Sequence, residues 1–140
     1  MQKQQEQNTP KVAVIGCGHW GKNLVKNFAR LGALAAVFDT DADTASKFSS
    51  AYDVPALGWE DILQNQEIDA VVIAAPAVLH AKLGLEAIAA GKHVYVEKPL
   101  ALTMDDAHEL VNAAKDKGRK LMVGHLLQYH LVFVKLREMV

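Results

Sequence analysis

A length of 140 residues suits one domain and is short for two. The 51% hydrophobic and 22% charged composition is that of an ordinary globular protein, and a formal net charge of -1 gives no electrostatic pull toward nucleic acid or an anionic membrane. Cys17 is the only cysteine, which excludes an internal disulfide and a multi-cysteine metal site, so no metal is expected and the reducing cytoplasm is the default compartment.

The N-terminal MQKQQEQNTP, residues 1–10, is polar and has neither an apolar stretch nor a small-residue cleavage pattern, so it reads as a loose tail rather than a signal peptide. The longest apolar run, AVVIAAPAVL, is broken by Pro76 and falls short of the roughly 18 residues a membrane helix needs.

Past the tail, short apolar runs alternate with segments of helical period. Val12–Ile15 reads as a strand that breaks into Gly16, Gly18 and Gly21. Trp20, Leu24, Val25, Phe28 and Leu31 then recur at helical spacing until Gly32 offers a left-handed stop. Leu34–Phe38 is a second strand, with a weaker candidate near Val54–Leu57. Ala70–Ala75 follows, then a helix whose apolar face is Leu79, Leu83, Ala87 and Ile88, ended by Gly91. His93–Val96 is another strand. Met104, Ala107, Val111 and Ala114 trace a third helix face, ended by Gly118. Thr103 and Asp106 are spaced as a capping-box variant, the hydroxyl accepting one early N–H and the carboxylate reaching back for another. Leu121–Val123 closes the series. Strands this uniformly apolar are buried on both faces, which predicts an α/β fold: a doubly wound, mostly parallel sheet with helices on both faces.

Glycines at 16, 18 and 21 form GxGxxG between a buried-type strand and an amphipathic helix, the setting of a dinucleotide fingerprint. Gly16 permits the turn, Gly18 lets backbone approach a pyrophosphate, and Gly21 lets helix and strand pack closely. Exposed N–H groups and the positive end of the helix hold the diphosphate, with Cys17, His19 and Trp20 adding backbone and contact surface. Asp39 ends the second strand eighteen positions beyond Gly21, near the spacing of about 20 expected for the carboxylate that binds the adenosine ribose. Its charge repels a 2′-phosphate, and the following Thr40 and Asp41 supply no cation, so NAD is favoured over NADP. The bland reading is that Asp39 starts a surface turn in DTDAD. Two later strands end at Ala75 and Pro76, ahead of a helix carrying His80, and at Glu97 and Lys98. These carboxyl ends belong at the ligand-binding edge of such a sheet.

The motifs GCGHWGKNLVKNF, AAPAVLH and VYVEKPL resemble those of the NAD(P)-dependent Gfo/Idh/MocA oxidoreductases over nearly everything after Pro10, and EKP is the most specific of them. The resemblance implies a Rossmann domain over residues 11–125 and NAD-dependent hydride transfer between nicotinamide and a sugar, nucleotide-sugar or cyclitol hydroxyl or ketone. It implies that Lys98 is the catalytic residue, beside the nicotinamide and substrate, where a cation stabilises a developing alkoxide. Glu97 then lies close to the nicotinamide ribose, and Ala75, Pro76 and His80 line the cofactor path. The competing readings are a solvated Lys98 paired with Glu97, and a His80 satisfied within its helix. A cis Lys98–Pro99 bond is also implied.

The segment MVGHLLQYHLVFVKL resembles the exit from the nucleotide-binding domain in a branch similar to nucleotide-sugar dehydrogenases. Proline commonly stands where this chain has Leu131, so His125, Gln128 and Tyr129 stay divided between facing the nicotinamide or substrate and a core or helix-surface role. Residues 126–140 are expected to lead, as a helical segment, toward a second α/β domain that carries the substrate contacts and is absent from these 140 residues. The chain alone is then incomplete for turnover, meeting its sugar-like substrate through that missing domain. Alternatives are a stand-alone NAD-binding sensor or interaction module, and a structural protein with a vestigial site. Homo-oligomer formation stays open.

Overall fold

The β-branched run Val12–Ile15 forms β1, with all four residues buried, as a strand covered on both faces requires. The computed structural model describes residues 9–139, so most of the expected tail at 1–10 lies outside the described residues. In chain order the elements are β1, α1 (Gly21–Arg30), β2 (Leu34–Phe38), α2 (Ala42–Tyr52), α3 (Trp59–Gln64), β3 (Ala70–Ile73), α4 (His80–Ala89), β4 (His93–Val96), α5 (Met104–Asp116), β5 (Leu121–Val123) and α6 (Leu131–Glu138). Short 3-10 turns at Ala77–Leu79 and Leu126–Tyr129 precede α4 and α6.

The five strands form one sheet in the order β2-β1-β3-β4-β5, and every pairing is parallel. Side chains alternate between two cores. Ala13, Ile15, Val71, Ile73, Val94 and Val96 face one core, completed by Ile62 of α3, Ile88 of α4 and Leu110 of α5. Val12, Val14, Val37 and Val72 face the other, completed by Val25 of α1 and by Phe48 and Tyr52 of α2. This is the doubly wound architecture. Because the strand order reverses between β1 and β3, the chain leaves their paired carboxyl ends toward opposite faces of the sheet, and a crevice forms there.

Four local expectations need correction. The Ala70–Ala75 strand ends at Ile73, because the Ala74–Ala75 backbone presses against Gly16, where an added Cβ would lie 2.9 Å away. Near Val54–Leu57 there is only a single bridge, Val37 to Ala56; Pro55 has no N–H with which to extend a ladder. On α5, Val111 is 49% exposed and Met104 69%, whereas Leu110 is fully buried against Gly84 of α4. At its start the Thr103 hydroxyl accepts the Asp106 N–H at 3.1 Å, but among the described residues no return bond from the Asp106 carboxylate accompanies it.

Helices α2 and α3 were not signalled by apolar periodicity. Asp41 caps α2 by accepting the Thr44 N–H at 3.1 Å, so part of DTDAD starts a helix. Helix α6 buries none of its described residues. Leu131 is its first residue, a position where proline and leucine are both tolerated. Among the described residues no helix is long and apolar enough to cross a membrane.

Candidate functional site

The glycine loop sits at the mouth of the β1/β3 crevice. Gly16 has φ +88, a conformation that L side chains rarely adopt, and a Cβ on Gly21 would overlap the Gly16 carbonyl oxygen. Nothing lies within 4 Å of the place a Gly18 Cβ would occupy. A side chain there would project toward the cavity that Gly18 lines rather than into protein. Helix α1 has no side-chain cap and no acidic residue in its first turn. Among the described residues, the N–H groups of Gly18, His19 and Trp20 have no hydrogen-bond acceptor. Unfilled donors at the positive end of a helix are what a diphosphate requires.

Two cavities lie on either side of this loop. The first, about 640 Å³, is lined by His19, Asp39, Thr40, Pro76 and Trp59 among others. The second, about 750 Å³, is lined by His80, Glu97, Lys98, His125, Gln128 and Phe133 among others. Trp20, Ala74 and Ala75 belong to both walls, so the two cavities adjoin beneath the loop. A dinucleotide is an elongated ligand with a diphosphate in the middle, and this arrangement matches that shape.

Asp39 is already engaged with the loop. Its Oδ2 accepts the Cys17 N–H at 2.8 Å and its Oδ1 accepts the Asp41 N–H at 2.9 Å. This corrects the expectation for Cys17: its amide is taken, and its side chain is buried at 2% exposure. Burial, reinforced by the Asp39 charge, pushes the Cys17 thiol up to about 11, so it stays protonated near neutrality and is no nucleophile.

At the other cavity Lys98 is exposed, and among the described residues it makes no ion pair with Glu97 or any other carboxylate. The Lys98–Pro99 bond is cis. Glu97 is buried, and its Oε1 accepts the Tyr95 hydroxyl at 2.8 Å. Burial and then the Glu97 carboxylate raise the Tyr95 phenol above its ordinary value. Gly124 makes room for this pair, since a Cβ there would fall 2.8 Å from Glu97 Oε1. His80 lines the second cavity as expected and is also satisfied by backbone. It is 1% exposed, with Nδ1 2.7 Å from the Pro99 carbonyl oxygen and Nε2 2.8 Å from the Ala75 carbonyl oxygen. It forms part of the wall between the two strand-end loops, with both ring nitrogens turned to backbone carbonyl oxygens. His125 and Gln128 reach the second cavity, whereas Tyr129 is 68% exposed and is not part of its lining.

Residues 10–125 match the family model described as an oxidoreductase family with an NAD-binding Rossmann fold, GFO_IDH_MocA. The chain belongs to the Gfo/Idh/MocA oxidoreductase family. Among curated members it is 32% identical over 128 residues to UDP-N-acetylglucosamine 3-dehydrogenase of Acidithiobacillus ferrooxidans, covering 91% of this chain and 41% of that protein. It is 33% identical over 137 residues to inositol 2-dehydrogenase 3 of Saccharopolyspora erythraea, covering 94% and 40%. The solved structure of the Acidithiobacillus enzyme superposes with a TM-score of 0.85 at 30% identity, covering 91% of this chain and 42% of that one. A 3-ketoreductase from Actinomadura kijaniata, solved with NADP and TDP-benzene, superposes with a TM-score of 0.87 at 29% identity, covering 94% and 42%. The chain thus spans about two fifths of the length of these relatives and corresponds to the NAD(P)-binding domain of the Gfo/Idh/MocA family.

Sequence reasoning missed Tyr95, Gly124 and Trp59. Tyr95 lies two residues before Glu97, and that spacing on a strand puts both on one side, a usable signal. Gly124 directly follows the last strand, at the sheet edge that was already suspect. Trp59 carried no local signal.

Proposed function

We propose that this chain is the cofactor half of an NAD-dependent dehydrogenase acting on a sugar, nucleotide-sugar or cyclitol hydroxyl or ketone. The observation that carries this reading is the placement of Asp39 and Lys98 in two adjoining cavities separated by a glycine loop with unfilled N–H donors. Gly18, His19 and Trp20 hold the diphosphate through backbone, and Asp39 holds the adenosine ribose with the lone pairs its two backbone donors leave free. NAD is preferred, since the Asp39 carboxylate repels a 2′-phosphate and neither Thr40 nor Asp41 offsets it. Thr40, Ala75 and Pro76 complete the walls.

When bound, the nicotinamide supplies two-electron hydride chemistry. The rest falls to this chain's own side chains. The Lys98 ammonium, which pairs with no carboxylate among the described residues, approaches the substrate oxygen and stabilises charge that develops there. Glu97, fixed by Tyr95, borders the nicotinamide ribose. Residues 11–125 form the cofactor-binding body, and 126–140 lead toward a domain that holds the substrate. Relatives named as acting on UDP-N-acetylglucosamine and inositol support the substrate class.

The test joins this chain to a substrate domain of the family and compares Lys98→Met with the unmodified protein. Turnover falls by about a hundred-fold or more while NAD affinity stays within about three-fold, the split that marks a transition-state role. Equal turnover of the two proteins overturns the assignment of Lys98.

A further inference from the structure

The cavity that contains Asp39 also contains an indole not claimed by any of the roles above. Trp59 opens α3 and is half-buried; its Nε1–H donates to Glu86 Oε2 of α4 at 2.7 Å. That bond spans two helices and holds the ring in one orientation. It also uses the only hydrogen-bonding group of the indole, so what remains for a ligand is aromatic surface. Leu79 and Leu83, from the start of α4, line the same cavity and add apolar wall without polar atoms.

We infer that the Trp59 indole is the surface against which the adenine ring of the cofactor packs, an inference that rests on the dinucleotide reading above. A ribose held by Asp39 carries its base on the adjacent carbon, so the base must enter this same cavity. A purine is flat and presents π faces, and an indole fixed in place is a matching wall. Because the ring is held by Glu86 before the ligand arrives, little side-chain freedom is lost on binding. Trp59 thus sets affinity for the adenosine half, and Glu86 acts as its positioning residue.

The chain has two tryptophans, so Trp20→Phe leaves Trp59 as the sole indole emitter. ADP-ribose and nicotinamide mononucleotide are titrated separately into this variant, following emission and heat in parallel. ADP-ribose is expected to change Trp59 emission saturably, with the calorimetric midpoint, and nicotinamide mononucleotide to leave it unchanged. In the otherwise natural chain, Trp59→Leu weakens ADP-ribose binding by about ten-fold, whereas Trp59→Phe, which keeps an aromatic face, stays within about three-fold. ADP-ribose that binds by calorimetry without moving Trp59 emission overturns this inference alone. So does a folded Trp59→Leu chain that binds as well as the natural one. A natural chain with no affinity for ADP-ribose overturns the dinucleotide reading as well. Should Trp59→Leu fail to fold, the emission experiment decides by itself.

Discussion

The Asp39 carboxylate accepts the Cys17 backbone N–H at 2.8 Å, so the acidic residue that ends β2 is also the anchor of the glycine loop that follows β1. Substitution of Asp39 therefore does more than change which ribose is preferred. Asp39→Ala removes the proposed ribose contact and the loop anchor together. We expect NAD affinity to fall by about ten-fold or more, as for loss of a charge-assisted bond. NADP should gain from relief of repulsion and lose through the loop, so the preference for NAD narrows. Calorimetry on both cofactors checks this, and unchanged NAD affinity would refute it.

The glycines separate by what surrounds them. Gly18→Val places its side chain in open space, so thermal unfolding stays close to that of the natural chain while cofactor binding is lost. Gly21→Ala drives a Cβ into the Gly16 carbonyl, which demands backbone movement and is expected to destabilise by about 2 kcal/mol or more. Paired melting curves distinguish them. If Gly18→Val unfolds and Gly21→Ala does not, the assigned roles are reversed.

Cys17 gives a pH signature. A thiol in the unfolded chain titrates near 9.0 and the folded one at about 11, so between these values the unfolded state has lost a proton the folded state retains. Stability contributed by this group is complete below pH 9 and declines as pH rises toward 11, by about 3 kcal/mol in total. Thiolate absorbance should rise near pH 11 in the native chain and near 9 in denaturant. The decline should be missing from Cys17→Ala. A native thiol that titrates near 9 contradicts the burial argument.

The His80 ring lies between the Ala75 and Pro99 carbonyl oxygens, at 2.8 and 2.7 Å, and supplies an N–H donor there. His80→Leu keeps apolar bulk but supplies no donor, and an unsatisfied buried carbonyl costs about 1–3 kcal/mol. A lower denaturant midpoint with unchanged slope is expected. An unchanged midpoint would mean that this donor contributes nothing.

Much of this was legible from residue order. The boundaries of β1, β2, β4 and β5 follow from short, dense apolar runs, and Gly16 and Gly21 have the close packing that their spacing implies, while Gly18 faces open space. What escaped depends on partners distant in sequence. Helix α2 packs through few large apolar residues, chiefly Phe48 and Tyr52, too sparse for a clear period. The inner face of α5 is set by Leu110 fitting over Gly84, a contact between two helices that neither helix announces. Trp59 is held at the cleft by Glu86, twenty-seven positions away, and by packing against the core. Asp39 was read for its charge, while its grip on Cys17 follows from β1 and β2 lying side by side.

The central claim is that this chain binds a dinucleotide and prefers the one without a 2′-phosphate. Parallel calorimetric titrations of the natural chain with NAD and NADP test it most directly. NAD is expected to bind at one site, at least about ten-fold more tightly than NADP, a margin of about 1.4 kcal/mol for one carboxylate facing a hydroxyl or a phosphate. NADP binding as tight as NAD, or no heat from either, would contradict the account.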